Sequence, residues 1–149
     1  MKDQISISRV AKLHPKFRNL FTEFIERCEN EFDIVLRVTA GLRTEAEQKA
    51  LYAQGRTAPG KIVTYAEPYK SYHNYGLAID LVRMDGKTPD WGYDMGKLAP
   101  IAAEMGISWG GNFKKLVDKP HFEINSWKVN DLRQMVKENT VDKDGYVLI

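Results

Sequence analysis

His73, Asp80 and His121 are the residues of this chain whose types and surroundings suit shared chemistry. His73 stands in the run Ser71-Tyr72-His73-Asn74-Tyr75-Gly76-Leu77-Ala78-Ile79-Asp80, where a loop histidine precedes a glycine and then an aspartate inside an apolar, strand-like segment. A carboxylate in a buried strand is costly unless it is paired, hydrogen-bonded or bound to a metal, so Asp80 requires a partner. Gly76 allows a tight turn that returns the His73 ring beside it. His121 opens a second short strand-like segment, with Asp118 three residues before it and Glu123 two after. Two imidazoles and one carboxylate match the ligand count of a catalytic zinc ion, which leaves its fourth position to water. Zinc lowers the pKa of that water from about 15.7 to about 7, which makes hydroxide available at neutral pH. The opposing reading, histidines satisfied separately by ordinary hydrogen bonds, stays open at this level.

Hydrolysis at such an ion also needs a base that takes the proton from water and passes it to the leaving group. Asp118 is the candidate. Glu123 shares a strand face with His121 by period two, which suits a carboxylate that orients the imidazole, and the two roles can be exchanged. Arg43 follows the Gly41 turn and suits either a bidentate contact to a substrate carboxylate or oxyanion, or a plain surface ion pair. Gln48 and Ser71 are candidate substrate-binding residues, although a helix-surface and a turn position need no functional explanation. The remaining histidine, His14, precedes Pro15 at a helix start and suits a cap or the surface. Cys28 is the only cysteine; no intramolecular disulfide can form, and its apolar helical surroundings indicate packing.

The elements that must position these groups are readable in outline. The chain's 149 residues suit one domain over residues 1–149. Phe17, Leu20, Phe21, Phe24, Ile25 and Cys28 recur at helical spacing after Pro15. Residues 34–39 read as a buried strand, and Thr44 with Glu47 forms a capping-box pattern for a helix that reaches about residue 54. The segment from residue 55 to 70 is too long for a minimal connection, and such loops often border sites. Residues 77–83 read as a central strand before an Asp85-Gly86 turn, and residues 93–105 as a helix that Pro100 kinks. Residues 107–109 and 121–124 read as short strands separated by the turn Gly110-Gly111-Asn112, residues 130–138 as a last helix, and residues 141–149 as a hairpin or extended tail. This irregular order predicts an α+β domain.

Composition excludes several classes. The formal charge is +2, with basic and acidic residues interspersed, and no basic cluster with interleaved aromatics marks a nucleic-acid surface. The beginning of the chain is too polar for a signal peptide, and no run of about 18 apolar residues occurs, so a protein made in the cytoplasm without membrane insertion is expected. Asp142 to Gly145 lacks the twelfth-position glutamate of an EF-hand, so an ordinary turn and no calcium site is expected.

Ser71 to Asp80 resembles the S-x-H-x-x-G-x-A-x-D signature of the VanY-like D-alanyl-D-alanine carboxypeptidases and L-alanyl-D-glutamate endopeptidases, with every fixed position matched. Asp118-Lys119-Pro120-His121-Phe122-Glu123 resembles their second signature, D-x-x-H-F-E. Gly41-Leu42-Arg43-Thr44 with Glu47-Gln48 is similar to the family segment around a substrate-binding arginine, and Trp109-Gly110-Gly111 to another recurring element. Asn112 departs from the aspartate that family members often carry there.

The resemblance spans about residues 35–125. It implies one zinc ion on His73, Asp80 and His121, a general base at Asp118, carboxylate or transition-state stabilisation by Arg43, and a compact fold around a small, mainly antiparallel sheet flanked by helices. The run from Gln54 to Lys61 looks most like the endopeptidase branch found in phage endolysins, which implies cleavage between L-alanine and D-glutamate of the peptidoglycan stem peptide. A monomeric lysin that accumulates in the cytoplasm and reaches the wall after a holin opens the membrane is expected. The alternatives are a D-alanyl-D-alanine carboxypeptidase and a zinc-stabilised wall-binding module without turnover.

Overall fold

The computed structural model describes all 149 residues. Helix α1 (Gln4–Val10), which the sequence reading did not anticipate, starts on Asp3, whose carboxylate accepts from the Ser6 N–H at 3.1 Å. Helix α2 (Arg18–Phe32) buries Phe21, Phe24, Ile25 and Cys28, the stripe expected from its spacing. Burial pushes the Cys28 thiol up to about 12, so it stays protonated and acts as packing. Strand β1 (Val35–Ala40) leads to helix α3 (Glu45–Ala53), whose start carries the Thr44/Glu47 capping box in full. Then come strand β2 (Ala78–Asp85), strand β3 (Thr88–Asp90), helix α4 (Ala99–Glu104), strand β4 (Ser108–Trp109), strand β5 (His121–Glu123) and helix α5 (Val129–Lys137).

The sheet runs β1-β2-β5-β4, with β3 also on β2, and every pairing is antiparallel. Strand β2 is its centre, paired with β1 on one side and with β5 and then β3 on the other, which explains its apolar run. Period two divides its faces. Ile79, Leu81 and Phe122 belong to the core with α2, where the Phe24 and Phe122 rings lie 5.1 Å apart. Asp80 pairs with His121 in register, so these two project from the opposite face. Between Val38 and Ala40 the β1–β2 register shifts, and Thr39 is the extra residue of a bulge beside Asp80.

Three expectations are corrected. Residues 93–105 do not form one helix kinked by Pro100; a 3-10 turn (Met95–Leu98) precedes α4, and Pro100 sits in the first turn of α4, where its missing N–H leaves no bond unmade. The turn Gly110–Asn112 alone does not join β4 to β5, since residues 113–120 form a further loop. His14 is neither cap nor surface: it is buried, accepts from the Lys16 N–H at Nδ1 and donates from Nε2 to the Val147 carbonyl at 2.8 Å. The residues after 140 form a turn closed by an antiparallel bridge between Val141 and Val147.

Gly76 joins the turn at residues 72–75 to β2. It has φ +68°, and a Cβ there would lie 2.4 Å from the His14 nitrogen, which itself donates to the Gly76 carbonyl. Gly86 has φ +60° with open space around it. Gly86→Ala is therefore expected to cost about 1 kcal/mol, the left-handed backbone penalty alone. Gly76→Ala is expected to cost about 3 kcal/mol or more, because strain and a backbone clash act together. Urea unfolding of both variants checks this; equal losses would contradict it.

Candidate metal centre

Three elements bring the site together. His73 lies in a 3-10 turn (Tyr72–Tyr75) whose start is capped by Ser71, the Ser71 hydroxyl accepting from the His73 N–H and the Asn74 side chain accepting from the Ser71 N–H. Asp80 comes from β2 and His121 from the first position of β5. One oxygen of Asp80 stands 3.3 Å from His73 Nε2 and 3.1 Å from His121 Nδ1, and ligand atoms of all three residues lie within 4.8 Å of one another.

The far side of each ring is committed. His73 Nδ1 donates to the Gly41 carbonyl at 2.9 Å, and His121 Nε2 donates to the Glu123 carboxylate at 2.7 Å. In the neutral tautomers these bonds impose, His73 Nε2 and His121 Nδ1 both present lone pairs to the same carboxylate oxygen. Facing acceptors require a cation between them, either protons or a metal. Tetrahedral zinc with nitrogen and oxygen donors at about 2.0–2.2 Å separates neighbouring donors by about 3.4 Å, close to both distances here, so the donor set fits zinc.

The charges of the metal-free chain express the same geometry. Burial works to raise the Asp80 carboxyl and to lower the His121 imidazole. Their mutual hydrogen bond, with those to His73 and Glu123, outweighs it, holding Asp80 well below the usual carboxylate range and raising His121 to about 9.

Asp118 is half exposed, with its carboxylate 4.0 Å from His121 Nδ1. Its main chain is pinned, the N–H donating to the Gly110 carbonyl at 3.0 Å and the carbonyl accepting from the His121 N–H. A Cβ on residue 110 would lie 2.2 Å from the Asp118 carbonyl oxygen, so glycine is required for this approach. Burial and the neighbouring Asp80 raise the Asp118 carboxyl above its ordinary value, with His121, His73 and Arg43 opposing.

Arg43, Ser71, His73, Asp80, Asp118 and His121 line one cleft of about 360 Å³, which Val63 and Thr64 of the long 55–70 segment wall on another side. The Arg43 main chain is bonded to the His73 turn through the His73 carbonyl and the Asn74 side chain, and its guanidinium donates to Gln48 at 3.0 Å. Burial lowers its pKa, with Asp80, Glu47 and Asp118 opposing, and an arginine so placed remains cationic.

Gln48, expected on the helix surface as a substrate contact, is fully buried and lies outside the cleft lining. Its amide oxygen accepts from Arg43 and Asn74, and its nitrogen donates to the Ala66 carbonyl at 2.7 Å, tying the 55–70 segment to the site. Asn112 also lies outside the cleft lining. The Gly41 carbonyl, Val63 and Thr64 were not anticipated: a main-chain oxygen leaves no mark on residue type, and Val63 and Thr64 belong to no periodic pattern.

Residues 64–124 match the family model described as D-alanyl-D-alanine carboxypeptidase. The chain is 47% identical over 98 residues to the peptidoglycan L-alanyl-D-glutamate endopeptidase CwlK of Bacillus subtilis (strain 168), covering 58% of this chain and 59% of that protein. It is 30% identical over 125 residues to the L-alanyl-D-glutamate peptidase of Listeria phage A118, covering 80% of this chain and 41% of that protein. It therefore spans less than two thirds of the length of either relative. Among solved structures, the L-Ala D-Glu endopeptidase ChiX of Serratia marcescens has the same fold, with a TM-score of 0.59, 22% identity and coverage of 80% of this chain and 86% of that one.

Metal uptake should carry a proton signature. The metal-free His121 ring holds its extra proton up to about pH 9, and a metal at Nδ1 must displace it. At pH 7 zinc binding is expected to release about one proton from this ring, and apparent affinity is expected to rise about tenfold per pH unit until about pH 9. Calorimetric titration in buffers of different ionisation enthalpy measures the release; none at pH 7 would contradict the site.

Proposed function

We propose, from the premise that this chain belongs to the VanY-like D-alanyl-D-alanine carboxypeptidase and L-alanyl-D-glutamate endopeptidase family, that it is a zinc peptidase cleaving the L-alanyl-D-glutamate bond of peptidoglycan stem peptides. The observation that carries the reading is the Asp80 oxygen shared by His73 Nε2 and His121 Nδ1, in one cleft with Asp118 and Arg43. The endopeptidase specificity rests on the names of the two sequence relatives.

His73, Asp80 and His121 would hold a single zinc ion, which when bound supplies a water of pKa about 7 and polarises the scissile carbonyl. Asp118 takes the proton from the attacking water and delivers it to the leaving amine of the glutamate, a role its place in the same cleft allows. Arg43 presents a fixed, desolvated positive charge to a glutamate carboxylate or to the tetrahedral oxyanion, held in place by Gln48. Glu123 keeps the His121 ring oriented and basic, and Gly41 does the same for His73. Ser71 caps the His73 turn and borders the substrate path.

A lysin that reaches the wall after a holin opens the membrane, acting as a monomer of one domain over residues 1–149, belongs to the same proposal; the peptidase of Listeria phage A118 supports its phage-type character alone. No helix is long and apolar enough to cross a membrane. The description of the matched family model favours a second reading, removal of terminal D-alanine.

Asp118→Ala is expected to bind zinc as the parent does while its cleavage of purified muropeptides falls about 10²- to 10⁴-fold. Metal analysis with mass spectrometry of the digests measures both. A variant that keeps its rate would remove Asp118 from the mechanism. Release of free D-alanine in place of fragments split between L-alanine and D-glutamate would select the carboxypeptidase.

A further inference from the structure

Arg43 also lines a second cleft, of about 320 Å³, where the end of α1 and the residues after it meet the β1–α3 connection. Its side chains include three cations, Arg9, Lys12 and Arg43, against a single carboxylate, Glu47. That carboxylate is already engaged, since it accepts from the Thr44 N–H and hydroxyl in the capping box. Lys12 and Arg9 enter no ion pair. The Lys12 main chain is held by the Arg9 carbonyl and the Tyr146 hydroxyl, which fixes its Cα at the cleft while the ammonium stays unpartnered. Arg9 uses one guanidinium nitrogen on the Val38 carbonyl and leaves the others unpaired.

The main chain contributes as well. The N–H groups of Gly41 and Leu42, both in the cleft lining, donate to no acceptor within the protein. A concave surface with an excess of one charge focuses the field within it.

We infer that this second cleft is a carboxylate-binding subsite, taking the acidic group of the residue that follows the glutamate while the glutamate carboxylate lies at Arg43. The inference rests on the peptidase reading above. The substrate chemistry is compatible with the match: on the amine side of the scissile bond glutamate has two carboxyl groups, of which only one continues the chain, and with the free one at Arg43 an acidic group on the next residue would meet Arg9 and Lys12. Arg43, bordering both clefts, joins the two positions.

The test uses N-acetylated L-alanyl-D-glutamyl-L-alanine as the free acid and as its C-terminal amide, with the zinc-loaded protein, Lys12→Gln, and Lys12→Gln combined with Arg9→Gln. For the free acid the double variant is expected to raise KM about tenfold while kcat stays within about twofold, and for the amide to change neither, since the group it loses is then absent. The parent is expected to prefer the acid over the amide by the same factor. Equal effects on both peptides, or no effect on the acid, would overturn the subsite. Because Arg9 also bonds the Val38 carbonyl, Lys12→Gln alone carries the test if the double variant fails to fold, with a KM rise about half as large on a logarithmic scale. If the parent cleaves neither peptide, the peptidase reading fails and calorimetric binding of the same two peptides decides the subsite. A preference for the acid that Lys12→Gln abolishes supports it, and equal binding of acid and amide refutes it.

Discussion

A single carboxylate oxygen of Asp80, faced from two sides by imidazole nitrogens whose other nitrogens are already bonded, is the interaction on which the rest depends. Three groups that all present lone pairs repel one another unless positive charge sits among them. The metal-free chain answers with a proton, which is why His121 is raised to about 9. Zinc held there would answer the same demand and add Lewis acidity, so folding and metal binding would draw on one electrostatic arrangement. A carboxylate at the centre of a sheet is a liability in most proteins, and here its desolvation is offset by the groups that make the site.

The scaffold is organised around keeping that arrangement narrow. Antiparallel pairing places Asp80 directly opposite His121, and period two leaves the other faces of the same strands free to pack on α2 through Phe122, Ile79 and Leu81. The bulge at Thr39 adjusts β1 beside Asp80, and the chain then turns at Gly41, whose carbonyl accepts the hydrogen bond from His73 Nδ1. Gly110 lets the loop before β5 close on itself, so Asp118 reaches the same cleft from a short, constrained path. Gln48 ties Arg43, the His73 turn and the 55–70 segment together through one buried amide. Small displacements in any of these would alter distances on which proton transfer depends.

The electrostatic pattern extends beyond the metal ligands. Asp80 and Asp118 gather acidic oxygens in the metal cleft, with Glu123 behind the His121 ring, while Arg43, Lys12 and Arg9 form a positive margin. Under the proposed function, a metal in this setting with a cationic border would suit a peptide that is acidic next to its scissile bond. The modest overall charge hides this separation, because it comes from placement and not from amount.

Much of the site was readable because its chemistry depends on residue type. Histidines beside carboxylates, an aspartate in an apolar strand, glycine at a forced turn and a capping box are properties of side chains and local spacing, and each leaves its mark on the chain. The sequence by itself determined the candidate ligands, the central strand, the helix stripe and the α+β class, since hydrophobic period and turn chemistry are local. Only the tertiary structure decided which nitrogen of each ring faces Asp80, that a Gly41 carbonyl holds His73, that Gln48 is buried behind Arg43, and that Arg9 and Lys12 border a second cleft. Those facts depend on main-chain atoms, register and the meeting of segments far apart in the chain, and identical residue types in another packing would have different neighbours.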